Sequence, residues 1–148
     1  MTSMPNGAAI IKDKLVKSEA WLEILGWGPD ELNDLRFVGY SYIRQGHYDT
    51  AISFFEALII LAPQSAYDLQ TLGALYLQKG NNLAALNYIE RALKLEPQHI
   101  PSLLNRTKAL FSLGYRRQAV MQAIELQKNA NKRVADQATA LLMVHGRA

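Results

Sequence analysis

Chemistry has few places to reside in this chain. Its 148 residues include no cysteine, which removes disulfides, zinc–thiolate sites and thiol nucleophiles together and mildly favours a reducing compartment. The histidines His47, His99 and His145 are scattered, none with a second ligand at i+3 or i+4, so no helical metal-binding pair forms. Ser41, Ser53, Ser65, Ser102 and Ser112 lack the pattern of a nucleophile elbow, and no glycine-rich loop opens a helix after a strand to hold phosphate. Glu90 and Glu96 stand on a helix or at its end, where solvation is the default role of a carboxylate. An activity needs a site, and these residues assemble none, so no enzyme, metal or cofactor is expected.

The cations come next. Net charge is +3, yet residues 1–100 carry 8 basic and 11 acidic groups while residues 101–148 carry 8 and 2. Arg106, Lys108, Arg116, Arg117, Lys128, Lys132 and Arg133 suit a phosphate backbone or an acidic protein docking on the end of the chain. No interleaved aromatics or nucleic-acid motif accompany them, so a solvated helix face is the simpler reading and nucleic acid is not an expected partner. The composition, 49% hydrophobic and 20% charged, suits one globular domain or one short solenoid. The apolar run at residues 8–11 stops at Lys12-Asp13-Lys14, too short for a signal peptide or membrane span, so a cytoplasmic protein without membrane insertion is expected.

Any surface that binds must be positioned by helices, and the chain writes those helices repeatedly. A step of 34 residues lays Gly39 on Gly73, Tyr42 on Tyr76, Gly46 on Gly80 and Gly114, Ala51 on Ala85 and Ala119, and Pro63 on Pro97. Leu69, Leu72, Gly73 and Tyr76 fall at i, i+3, i+4 and i+7, one face of a helix. A mid-helix glycine costs about 1 kcal/mol relative to alanine. Its return at Gly39 and Gly73 therefore predicts a close helix crossing, with the small residues Ala51 and Ala85 as natural partners. Gly46, Gly80 and Gly114 are placed to end a first helix in the left-handed cap conformation, and Pro63 and Pro97 to close second helices.

The chain then divides in order. Residues 1–7 read as a mobile tail, and 8–31 as an N-terminal helix and break, amphipathic through Ile11, Leu15, Leu22 and Leu25 beside Trp21, and interrupted at Gly26, Gly28 and Pro29. Repeats follow at 32–65, 66–99 and 100–133. The third is degenerate: Arg106 and Thr107 replace the Leu-Gly pair, Ala123 replaces Phe55 and Ile89, and Asn131 stands where proline was. Looser packing is expected there, although Leu103, Leu110 and Leu113 keep an apolar stripe. Residues 134–148 form a final helix sealing the stack through Val134, Ala138, Leu141 and Leu142.

This period and pattern resemble the tetratricopeptide repeat, a helix–turn–helix unit that cannot bury its apolar face alone. The fold expected is all-α, a short solenoid of three such repeats with an N-terminal helix and a C-terminal capping helix. The resemblance implies a concave groove lined by one face of each first helix. Its candidates are Arg36, Tyr40 and Ile43 in the first repeat, Tyr67, Gln70, Leu77 and Gln78 in the second, and Leu104, Lys108 and Phe111 in the third. Asn33, Arg44, Ala74 and Ser112 extend the set, and Leu104 alternatively packs against the cap. In tetratricopeptide co-chaperones a basic and asparagine clamp holds a C-terminal carboxylate. Only Arg36 fits that pattern here, since Tyr40 and Thr71 stand at asparagine positions and Pro101 and Asn105 replace the basic pair.

The runs Leu32-Asn33-Asp34-Leu35, Gln45-Gly46-His47-Tyr48 and Phe55-Glu56-Ala57-Leu58-Ile59-Ile60-Leu61-Ala62-Pro63 resemble those of the tetratricopeptide chaperones of bacterial type III secretion, over about residues 21–119. That resemblance implies a non-enzymatic chaperone whose groove covers an amphipathic helix or extended apolar segment of a secreted translocator, needle or early-export protein. It also leaves room for a homodimer or co-chaperone contact through the N-terminal helix. A scaffold joining folded partners is the alternative reading of the same repeats.

Overall fold

The computed structural model describes residues 7–146, and among them are eight helices and no strand. They are α1 (Gly7–Leu25), α2 (Pro29–Arg44), α3 (Tyr48–Leu61), α4 (Ala66–Gln78), α5 (Asn82–Leu95), α6 (Ile100–Ser112), α7 (Arg116–Gln127) and α8 (Lys132–His145). The expected tail at 1–7 lies outside the described residues except for Gly7, which opens α1. The chain forms two compact units, Met1–Ser65 and Ala66–Ala148, divided where the 34-residue register passes from its first copy to its second.

In the first unit α2 packs on α3, and α1 also packs on α3. Pro29 begins α2 with a preset φ, and Asp30 and Glu31 place negative charge in its first turn. The Gly28 backbone N–H donates to Glu31 Oε2 at 2.9 Å, and that bond, then the N–H of Glu31 itself, holds the carboxyl below the usual glutamate range. The α2–α3 crossing is close at Gly39, where an added Cβ would lie 2.9 Å from the Phe55 ring. The partner of that glycine is thus large Phe55, fully buried, rather than Ala51. Val38, next to Gly39 in sequence, is 39% exposed. The stripe expected of α1 is present only in part: Leu15 and Leu22 are half-buried on one face with Ser18, while Trp21 and Leu25 are exposed. Ser18 is buried, its hydroxyl donating to the Leu15 carbonyl at 2.8 Å, while Val16 and Ile24 are exposed.

In the second unit α4 packs on α5 and α6, α6 on α5, α7 and α8, and α7 on α8. At Gly73 a Cβ would stand 2.6 Å from Ile89 Cγ1 and 3.2 Å from the Ala85 carbonyl oxygen, so again the large residue is the main partner. Tyr76 stacks on Tyr88 with ring centroids 5.5 Å apart. One register later the sizes reverse: Thr107 and Ala123 are both fully buried, and the Thr107 hydroxyl donates to the Leu103 carbonyl at 2.9 Å. The third pair is therefore not loosely packed; Ala109, Leu110, Ala119 and Leu126 are buried with them. Arg106, in the register of Leu72, donates from Nε to Glu90 on α5 and from Nη1 to Gln122 on α7 at 3.2 Å. Glu90 is consequently an ion-pair partner and not simply a solvated carboxylate.

The first helices all stop in one way. The N–H of Gly46 returns to Ile43 and that of His47 to Tyr42; Gly80 with Asn81, and Gly114 with Tyr115, repeat both bonds. This is the double hydrogen bond of a left-handed C-terminal cap, with φ of +79°, +79° and +83° at the glycines. Helices α3 and α5 end at Leu61 and Leu95, just before Pro63 and Pro97. Where proline is missing, Asn131 Oδ1 accepts the Arg133 N–H at 3.0 Å and starts α8 two residues ahead of the expected position.

Candidate functional site

One constellation with catalytic residue types does assemble. His99 Nδ1 and Ser102 Oγ lie 2.7 Å apart, and His99 Nε2 is 3.9 Å from Glu96 Oε2. The order carboxylate, imidazole, hydroxyl resembles a nucleophile relay, but Ser102 has no exposed surface for a substrate to reach. His99 is the N-cap residue of α6, and Ser102 lies in the first turn of that helix, so the contact lies within the helix start. Its sequence signal is the spacing Glu96, His99, Ser102 at i, i+3, i+6. Among the described residues no group of three or more histidines and carboxylates is placed to hold a metal ion, and no helix is long and apolar enough to cross a membrane.

The candidate binding residues occupy the same flank of each first helix. In the first unit Arg36, Tyr40 and Ile43 fall at i, i+4 and i+7 of α2, all half-buried. Tyr40 was expected to look away from α3, yet its ring meets Phe55 edge-on at 5.4 Å, so part of its surface is spent within the pair. Arg36 Nη1 donates to Asn33 Oδ1 at 2.9 Å, and Arg44 lies over the Phe37 ring at 5.8 Å.

In the second unit Tyr67 and Gln78 are exposed on α4, and Gln70 and Leu77 are half-buried. Thr71 is buried, its hydroxyl turned back to the Tyr67 carbonyl at 2.9 Å, which removes it from any clamp. On α6, Leu104, Lys108 and Phe111 again stand at i, i+4 and i+7. Phe111 stacks on His145 of α8 at 5.1 Å. Leu104 and Lys108 open into a cleft of about 580 Å³ between α6 and α8, whose other wall includes Val134, Gln137, Leu141 and Val144. The contribution of α8 to this surface was missed because residues 134–148 read as a seal. The signal was available in Val134, Gln137, Leu141 and Val144 at i, i+3, i+7 and i+10.

The basic stretch is partly committed elsewhere. Arg106 is held by Glu90 and Gln122, Arg116 by the Gly146 carbonyl, and Lys128 by Glu125 at 3.6 Å. Those groups hold protein partners; among the described residues the side chains of Lys108 and Arg133, both on the cleft, hold none.

A family model of the tetratricopeptide repeat matches residues 38–143. No protein of curated function matches the chain in sequence. Among solved structures, a type III secretion complex from Aeromonas hydrophila is 21% identical with a TM-score of 0.78, covering 93% of this chain and 95% of that one. PcrH of Pseudomonas aeruginosa, solved with the chaperone-binding region of PopD, gives 21% and 0.74, over 82% and 95%. The Yersinia enterocolitica type III secretion translocator chaperone SycD gives 18% and 0.74, over 83% and 96%. At these identities the likeness is one of fold.

Proposed function

The chain belongs to the tetratricopeptide-repeat family, and on that premise we propose that it is a non-enzymatic chaperone of a type III secretion system, holding an apolar segment of a secreted client in the cytoplasm before export. The supporting observation is that one flank of each first helix keeps apolar side chains only half-buried: Ile43 on α2, Leu77 on α4 and Leu104 on α6. Positions that would clamp a carboxylate hold Tyr40, Thr71, Pro101 and Asn105 instead. Such flanks suit alternate apolar anchors of a helix or extended strand. Structures of similar fold hold partner segments: PcrH the chaperone-binding region of PopD, and SycD a peptide of the translocator YopD.

In this reading Tyr40, Ile43, Tyr67, Leu77, Leu104 and Phe111 anchor the client, and Arg36, Gln70, Gln78 and Lys108 form the polar rim. Binding must be reversible, because the client leaves. The test is to purify the tagged protein at native levels before and after secretion is triggered and to identify what accompanies it by mass spectrometry. One secreted, apolar protein that disappears on triggering, and is lost in Leu77→Asp with helicity and melting nearly unchanged, is the expected result. A constant set of non-exported proteins overturns it in favour of a scaffold joining folded partners.

A further inference from the structure

We infer that the cleft between α6 and α8 is a subsite for one aliphatic side chain of a bound protein segment that carries an aspartate or glutamate beside it. The inference rests on the client-binding reading and gives the chemistry at one end of it. The cleft, about 580 Å³, is walled by Leu104 from α6 and by Val134, Leu141 and Val144 from α8. Val144 is 72% exposed, so this wall presents apolar surface that an incoming side chain would remove from water.

Charge selects what flanks that side chain. Lys108 and Arg133 both line the cleft, and no carboxylate does. Among the described residues neither cation has an ion pair or a side-chain hydrogen bond, in contrast to Arg106, Arg116 and Lys128. An acidic flank meets both cations, an amide flank leaves them as they are, and a basic flank is repelled. The aliphatic wall also favours a protein segment over nucleic acid, because no open aromatic face is offered for a base to stack on: the ring of His145 is already stacked on Phe111.

The test titrates the full-length, isotope-labelled protein with a blocked pentapeptide bearing leucine between aspartate and glutamate. The same titration is run with its asparagine and glutamine isostere and with a short oligothymidylate. Expected are amide shifts confined to α6 and α8, and binding of the acidic peptide about three- to tenfold tighter than the isostere at low salt, the range for two exposed ion pairs. Lys108→Gln combined with Arg133→Gln, both at exposed positions, removes that preference while the leucine-dependent shifts persist, and Ala140→Trp, which puts a bulky ring on the cleft lining, removes both. Equal binding of the isostere, tighter binding of the oligothymidylate, or shifts mapping elsewhere overturns the subsite. Client capture that depends on Leu77 stands or falls separately, so a failed subsite with intact capture leaves the chaperone reading in place.

Discussion

At the scale of single residues, the helix pairs are locked by complementary sizes. Gly39 faces Phe55 and Gly73 faces Ile89, whereas the third copy carries Thr107 and Ala123 at the same two positions. Gly73→Ala should gain about 1 kcal/mol in helix propensity. It should lose more, about 1–3 kcal/mol, by forcing a methyl against buried Ile89 and the Ala85 carbonyl. Chemical denaturation followed by circular dichroism should therefore show net destabilisation. Gly73→Thr with Ile89→Ala, which copies the third pair, should be more stable than the sum of its parts by about 1–3 kcal/mol; strict additivity would mean that the two positions do not share space. The glycines were legible from the period. Their partners were not, because recurrence marks a position and not the size of what faces it. Glu31 gives a second check. Its carboxyl is held below the usual range by the Gly28 N–H, so its contribution is present above the unfolded glutamate pKa and lost as pH falls through the lower folded value. A carboxyl titration by NMR should find Glu31 below the usual glutamate value, and Glu31→Gln should flatten the acid limb of stability; a midpoint at the ordinary value would remove the cap bond.

Element boundaries depend on local chemistry, which is why they could be read from sequence. Each first helix ends because a glycine accepts φ near +80°, and α3 and α5 end just short of Pro63 and Pro97. A Cβ on Gly80 would meet nothing within 4 Å, so the penalty for Gly80→Ala is carried by the backbone alone, about 1 kcal/mol, with Gly80→Asn costing less. Thermal melts of the two variants should rank in that order; equal melts would show that the cap bonds do not hold the turn. What local chemistry could not supply was the orientation of whole helices. The apolar residues of α1 predict a buried stripe, yet Leu15 and Leu22 are only half-buried and Trp21 is 52% exposed, since α1 packs on α3 alone within its unit. The cleft wall contributed by α8 was hidden for the same reason: a terminal helix reads as a seal until its neighbour is known.

For the whole molecule, the division at Ser65 sets an expectation about where stability resides. In repeat arrays each unit adds an intrinsic term and an interface with its neighbour. The second unit holds two successive helix pairs and α8, and α6 alone packs on α4, α5, α7 and α8. Its large apolar side chains that are fully or nearly fully buried, Leu69, Leu72, Ile89 and Leu110, come from three of its helices. The first unit has one pair and α1, with Phe55 and Leu58 as its large, fully buried side chains, both on α3. The fragment 66–148 should therefore unfold cooperatively on its own, while the fragment 1–65 should not. In the intact chain the slowest-exchanging amides should lie in α4–α7 and the fastest helical ones in α1. Circular dichroism of the two fragments and native-state hydrogen exchange of the full chain measure this directly. A well-folded fragment 1–65 beside a non-cooperative fragment 66–148 would sink the argument, since stability would then reside in the α2–α3 pair instead of in the succession of interfaces after it.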